Sequence, residues 1–357
     1  MTLSEQPARS FIDWDFARAT ARRLAPPGPK ISAQEARAAV DELRAAAARA
    51  HGPVAETARL HTPPDTPDAL VVDRPTWVDV NISSFSGLMD PVVAKLLERP
   101  GRPMPQAMRF VGGKATGTEV GTLLSFLSTK VLGQYDIAPG RPAQYARLLL
   151  VAPNVVEVER ELGLNPSDFR LWVCLHEETH RVQFTANPWL RDHMAQASRS
   201  VLSELAPDMD TLTERLRMIA TQLPEAMRRG GTGLLGLIAT PEQQRHIAEV
   251  TAFMALLEGH ADVVMDDVGP AIVPSVETIR AKFDRRREGM GPVDIIIRRL
   301  LGLEAKMAQY RDGAAFVRGV TSKVGVDGFN AVWTSPQTLP TPEEISDPAR
   351  WVARVHG

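Results

Sequence analysis

One stretch constrains this chain more than any other: Leu171–Phe184, which reads LWVCLHEETHRVQF. It contains His176-Glu177-Glu178-Thr179-His180, the pattern H-E-x-x-H, and that pattern has chemical meaning only on a helix. On a helix His176 and His180 stand one turn apart on one face, where two imidazoles can share one metal ion. Glu177, a quarter-turn round, can reach water at such an ion without being a ligand itself. The flanks predict the helix. Asn165 can cap it, Pro166 suits the first helical position, and Asp168 places a carboxylate against the positive helix end. Asn187-Pro188 stops it.

Catalytic zinc usually takes three protein ligands and leaves a fourth position open. The motif supplies two, so a third has to come from another element. Thr240-Pro241-Glu242-Gln243 is a helix start with a capping box, and that helix is expected to run to about Val268, where Gly269-Pro270 follows. Within it lies Leu257-Glu258-Gly259-His260-Ala261-Asp262. Glu258 is the candidate third ligand. Asp262, one turn on, is placed to accept from the free ring N–H of a ligand histidine and so fix its tautomer. His260 projects from another face and is a reserve ligand. The alternative for the histidines is burial in the core, satisfied by hydrogen bonds, and for Glu258 a buried salt bridge. H-E-x-x-H alone arises by chance in roughly one chain in a hundred of this length, so the second motif carries much of the weight.

The rest of the chain reads as a mainly α-helical fold with a small sheet. Helices are expected at Phe11–Leu24, from a Ser32 cap to Ala50, over Leu190–Met227 and over Val293–Val320. Gly117–Leu132 is an apolar helix whose Gly117 and Gly121 suggest close approach of another backbone. Pro63–Pro67 is a surface connection, and Trp77 in VVDRPTWV is a core anchor. Arg147–Ala152 (RLLLVA) is the clearest strand. The glycine-rich Arg229–Ile238 reads as a packed loop or a flap, and Arg285-Arg286-Arg287 as a solvated basic cluster near a loop. The segment holding Trp333 and Trp351 is proline-rich and loop-like.

Composition narrows the function. A formal net charge of −2 points to neither nucleic acid nor acidic membranes. The single cysteine, Cys174, rules out an intrachain disulfide framework and a Cys-rich zinc site, and reads as a small buried apolar residue. No signal pattern opens the sequence and no apolar run spans a bilayer, so a cytoplasmic protein is expected.

HEETH followed by LLEGHAD has the Glu-x-x-x-Asp form of gluzincin metalloproteases. The chain resembles a bacterial family of zincin-like proteins described as proposed hydrolases or zinc-dependent metalloproteases. Some of its members carry a label of association with deazaflavin-coenzyme biosynthesis. The matching stretches are Asp73–Val78, Leu175–Phe184, Met254–Gly269, Gln309-Tyr310 and Phe316-Val317, so the likeness spans roughly Phe11 to Trp351. It implies a zincin-like metallohydrolase domain over residues 71–345. An N-terminal helical segment, 1–70, would pack on its core, and a tail would cover 346–357.

Carried over residue by residue, the resemblance makes His176, His180 and Glu258 the Zn2+ ligands, Glu177 the general base and Asp262 a supporting residue. The gap between His180 and Glu258 is longer than the gluzincin pattern. No residue plainly fills the oxyanion-stabilising role. Tyr310 is the candidate among three tyrosines, against a core-aromatic alternative. The expected activity is hydrolysis of a peptide by zinc-activated water, with RLLLVA as the edge strand along which the peptide lies. The alternatives are a zinc amidohydrolase of a small metabolite and a non-catalytic binding or scaffold protein of zincin fold. The oligomeric state is unassigned.

Overall fold

Capping residues set where most elements begin, and the chain follows them closely in a computed structural model that describes residues 12–97, 106–205, 240–288 and 303–357. The helices are α1 (Trp14–Leu24), α2 (Ala33–Ala58), α3 (Arg74–Leu97), α4 (Gln106–Leu127), α5 (Ala152–Glu161), α6 (Pro166–Ala186), α7 (Trp189–Leu205), α8 (Pro241–Ile272), α9 (Val276–Glu288), α10 (Leu303–Phe329), α11 (Pro342–Ser346) and α12 (Pro348–His356). The strands are β1 (Leu70–Val72), β2 (Gly133–Asp136) and β3 (Arg147–Val151). The expected architecture, mainly α with a small sheet, is the one observed. The second part of Leu190–Met227, the Arg229–Ile238 run and the start of Val293–Val320 lie outside the described residues.

The chain divides into two compact units, residues 1–48 with 65–173, and residues 49–64 with 174–357. In the first, the sheet has the order β1-β3-β2, with β1 parallel to β3 and β2 antiparallel to it. Arg147–Val151 is therefore the central strand. It has no free edge for a peptide, and the expectation of an edge strand is corrected. Its continuous apolar run is what a strand covered on both faces requires, and Leu148, Leu149, Leu150 and Val151 are all fully buried. Trp77, Val78 and Ile82 of α3 pack with Leu149 and Val151 and with Ala17, Ala21 and Leu124.

Asp73 starts α3 by accepting from the Thr76 N–H. The buried Arg74 donates to Asn154, to the Pro26 and Pro27 carbonyls and to Glu157. Helix α1 crosses α4 at two glycines: a Cβ on Gly117 would stand 2.7 Å from the Asp13 carbonyl oxygen, and one on Gly121 2.5 Å from that of Ala17.

In the second unit α8 and α10 are the main pair, with α7, α11 and α12 packed around them. Two helices run further than expected from the sequence. Helix α2 continues through Gly52-Pro53 to Ala58, because Ala50, Val54 and Ala58 form a buried stripe at a spacing of four. Helix α8 continues through Gly269-Pro270 to Ile272, where proline costs only a last-turn bond. The C-terminal prolines open helices instead of breaking them. Thr341 and Asp347 cap α11 and α12, whose first residues are Pro342 and Pro348. Trp351 is buried, donating to the Thr338 carbonyl. Arg285 lies in the last turn of α9. No helix among the described residues is long and apolar enough to cross a membrane.

Candidate metal centre

The centre lies within the second unit, on α6 and α8. Helix α6 starts as its sequence dictates: the Asn165 side chain accepts from the Asp168 N–H at 3.1 Å. Thr240 begins α8 with a reciprocal capping box to Gln243. With both helices placed, His176, His180 and Glu258 offer ligand atoms within reach of one ion. The two Nε2 atoms are 3.3 Å apart, and Glu258 Oε2 is 3.4 Å from that of His176 and 3.7 Å from that of His180. Donors roughly 2.0–2.1 Å from a tetrahedral zinc stand about 3.3 Å from one another. The triangle fits zinc in size and in donor chemistry, and three protein donors leave one position open. The histidine side chains are 23% and 13% exposed, so the face is reachable.

The other expected residues fall as follows. Asp262 Oδ1 is 3.9 Å from His176 Nδ1, an ion-pair separation longer than a hydrogen bond. His260 turns away from the triangle into the core, stacked on Phe329 with ring centroids 5.4 Å apart and edge-on to Trp333. Burial, and then the charge of His180, push its pKa down to about 3, so it is neutral. Cys174 is fully buried, and burial drives its thiol pKa strongly up. Tyr310 is on α10, but its side chain is outside the described residues. Glu177 is buried beside this triangle. Burial raises its carboxyl pKa, against the pull of the two histidines, and Glu258 adds to the rise.

Three features escaped the sequence. Gln183, fully buried, bridges His180 to α8. It sits at i+3 from His180 and i+7 from His176, so the helical stripe was its available signal. Glu178, the second acid of HEETH, faces the opposite side of α6. There it takes Arg181 Nε at 2.9 and 3.0 Å and His51 Nδ1 at 2.7 Å, with no exposure at all. Gly259 lets the backbone of α10 touch α8 at Gly313, directly beside Glu258.

A family model of zincin-like metallopeptidases matches residues 12–352, nearly the whole chain. The chain belongs to the zincin-like metallopeptidase family. A crystal structure described as a proposed hydrolase with a novel fold, from Chloroflexus aurantiacus, is 30% identical to it. The two superpose with a TM-score of 0.65 over 97% of this chain and 99% of that one. No curated protein matches the chain. The zincin-like resemblance read from HEETH and LLEGHAD is borne out. Membership in the zincin-like family points to a metallohydrolase and implies a metal, usually zinc.

Proposed function

We propose that this chain is a zinc-dependent hydrolase of amide bonds acting on peptides, with His176, His180 and Glu258 as ligands and Glu177 as general base. The observation that carries the reading is the triangle of two imidazole nitrogens and one carboxylate oxygen, beside a buried carboxylate that is not part of it. Two nitrogen donors disfavour calcium and magnesium, which prefer all-oxygen shells. Zinc held there would supply a Lewis acid that acidifies water and polarises a carbonyl. Glu177 takes a proton from the attacking water and returns it to the leaving amine. Its raised pKa suits both steps, since a carboxylate nearer neutrality is a better base and its acid a workable donor.

The experiment is metal analysis joined to turnover. Wild type is expected to bind one zinc per chain and cleave members of a peptide library. Glu177→Gln should keep the zinc and lose about 10²–10⁴-fold in kcat. Cleavage of small amides but of no peptide would redirect the substrate class. Zinc binding with equal, absent turnover in both proteins would favour a binding role.

A further inference from the structure

An imidazole that ligates through Nε2 carries its proton on Nδ1. Whatever accepts that proton sets the tautomer and the ring plane. For His180 the partner is Gln183, whose Oε1 lies 3.0 Å from His180 Nδ1. Its Nε2 lies 2.9 Å from the Leu257 carbonyl oxygen and 3.0 Å from His260 Nδ1. The side chain has no solvent exposure, so water does not compete for it.

The orientation of this amide is forced by its partners. A main-chain carbonyl only accepts, so the NH2 group must face Leu257. The amide oxygen then faces His180, whose Nδ1 must donate. In the neutral ring that leaves His180 Nε2 bare, on the side where His176 and Glu258 converge. The second amide hydrogen meets His260 Nδ1, which must accept. Leu257 immediately precedes Glu258 on α8, so one side chain holds both a ligand histidine and the backbone beside the ligand glutamate. At His176 the carboxylate of Asp262 stands 3.9 Å from Nδ1, longer than a hydrogen bond.

We propose that Gln183 is the positioning residue of the metal centre: its amide fixes the tautomer of His180 and, through the Leu257 carbonyl, the register of Glu258 against the histidine pair. This rests on the metal-centre reading above. It explains why an uncharged amide occupies the position. A carboxylate could accept from His180 but would be repelled by the Leu257 carbonyl, and an apolar side chain would satisfy neither.

Zinc affinity measured by chelator competition tests the proposal, together with the histidine 15N and Nδ1–H signals of the zinc-loaded protein. Wild type should show His180 protonated at Nδ1, with a slowly exchanging proton. Gln183→Met, close in volume but unable to hydrogen-bond in this way, should lose about 10–100-fold in zinc affinity and lose that protected signal. A merely structural bridge would lower the melting temperature of the metal-free variant and leave affinity and tautomer unchanged; that result overturns the proposal. Zinc on Nδ1 of His180 in the wild type overturns it without recourse to any variant. Wild type that takes up no stoichiometric zinc overturns the metal-centre reading itself, and this inference with it.

Discussion

Glu177 and Glu258 are close enough to feel each other's charge, yet their surroundings push their acidities apart. Burial raises Glu177. At Glu258 burial also works upward, but the charge of His180 and the hydrogen bonds of both histidines outweigh it and hold the carboxyl well below the usual range. The separation suits the proposed roles, Glu258 ionised as a ligand and Glu177 taking up and returning the proton. His180 is the reciprocal case. Burial would lower it, but Glu258 raises it from 6.5 to about 9 in the metal-free protein. Proton and zinc compete for the same nitrogen. Zinc affinity should therefore rise with pH, by up to about tenfold per unit below pH 9, in chelator competition at a series of pH values.

The stability of the metal-free protein should move the other way. The raised His180 contributes fully below its unfolded value of 6.5 and loses its contribution as pH climbs through about 9. The depressed Glu258 contributes above 4.5 and loses it as pH falls through its lowered value. Urea midpoints of the apo protein should thus fall on alkaline titration toward pH 9, while zinc binding strengthens. At this scale HEETH and LLEGHAD pointed to His176, His180 and Glu258, the three residues whose donor atoms the structure brings together. The sequence concealed Gln183, whose meaning depends on a carbonyl 74 positions away in the chain.

Each ligand helix carries a second function on another face. On α6, Glu178 and Arg181 form a buried ion pair extended by His51, opposite the metal face. Glu178→Ala removes a fully buried carboxylate from the Arg181 guanidinium and should cost about 3–5 kcal/mol in urea unfolding. Glu178→Gln, which keeps shape and one acceptor, should cost less. On α8, a Cβ at Gly259 would overlap the Gly313 backbone. Gly259→Ala should cost about 1–3 kcal/mol and also weaken zinc binding, because Glu258 must move with the strained turn. Element starts were legible from local chemistry: Asn165, Thr240 and Ser32 all cap as read. Element ends were less so. Whether a helix survives Gly52-Pro53 is decided by the buried stripe beyond it, which is a tertiary matter. Strands β1 and β2 are only three and four residues long, too short for any alternation to show.

For the whole molecule, His176, His180 and Glu258 all belong to one unit, residues 49–64 with 174–357. Zinc should raise its stability by about 2.7 kcal/mol at a hundredfold excess over Kd. Hydrogen-exchange protection should be gained around Cys174–Ala186 and Leu257–Asp262, with no gain in His176→Ala. Protection spread evenly over both units would contradict this placement. That unit is also discontinuous in sequence. Residues 49–64 bring His51 to Glu178, and Asn330 donates to the Ala58 carbonyl. On a ribosome this strap emerges after residues 1–48 and then waits while residues 65–173, which like them belong to the other unit, are made. Its partners start at Cys174, the point where the metal motif begins to appear. The order of synthesis therefore makes closure of the strap and assembly of the centre late and nearly simultaneous events. A chain stalled before Cys174 would hold the strap with nothing to close on.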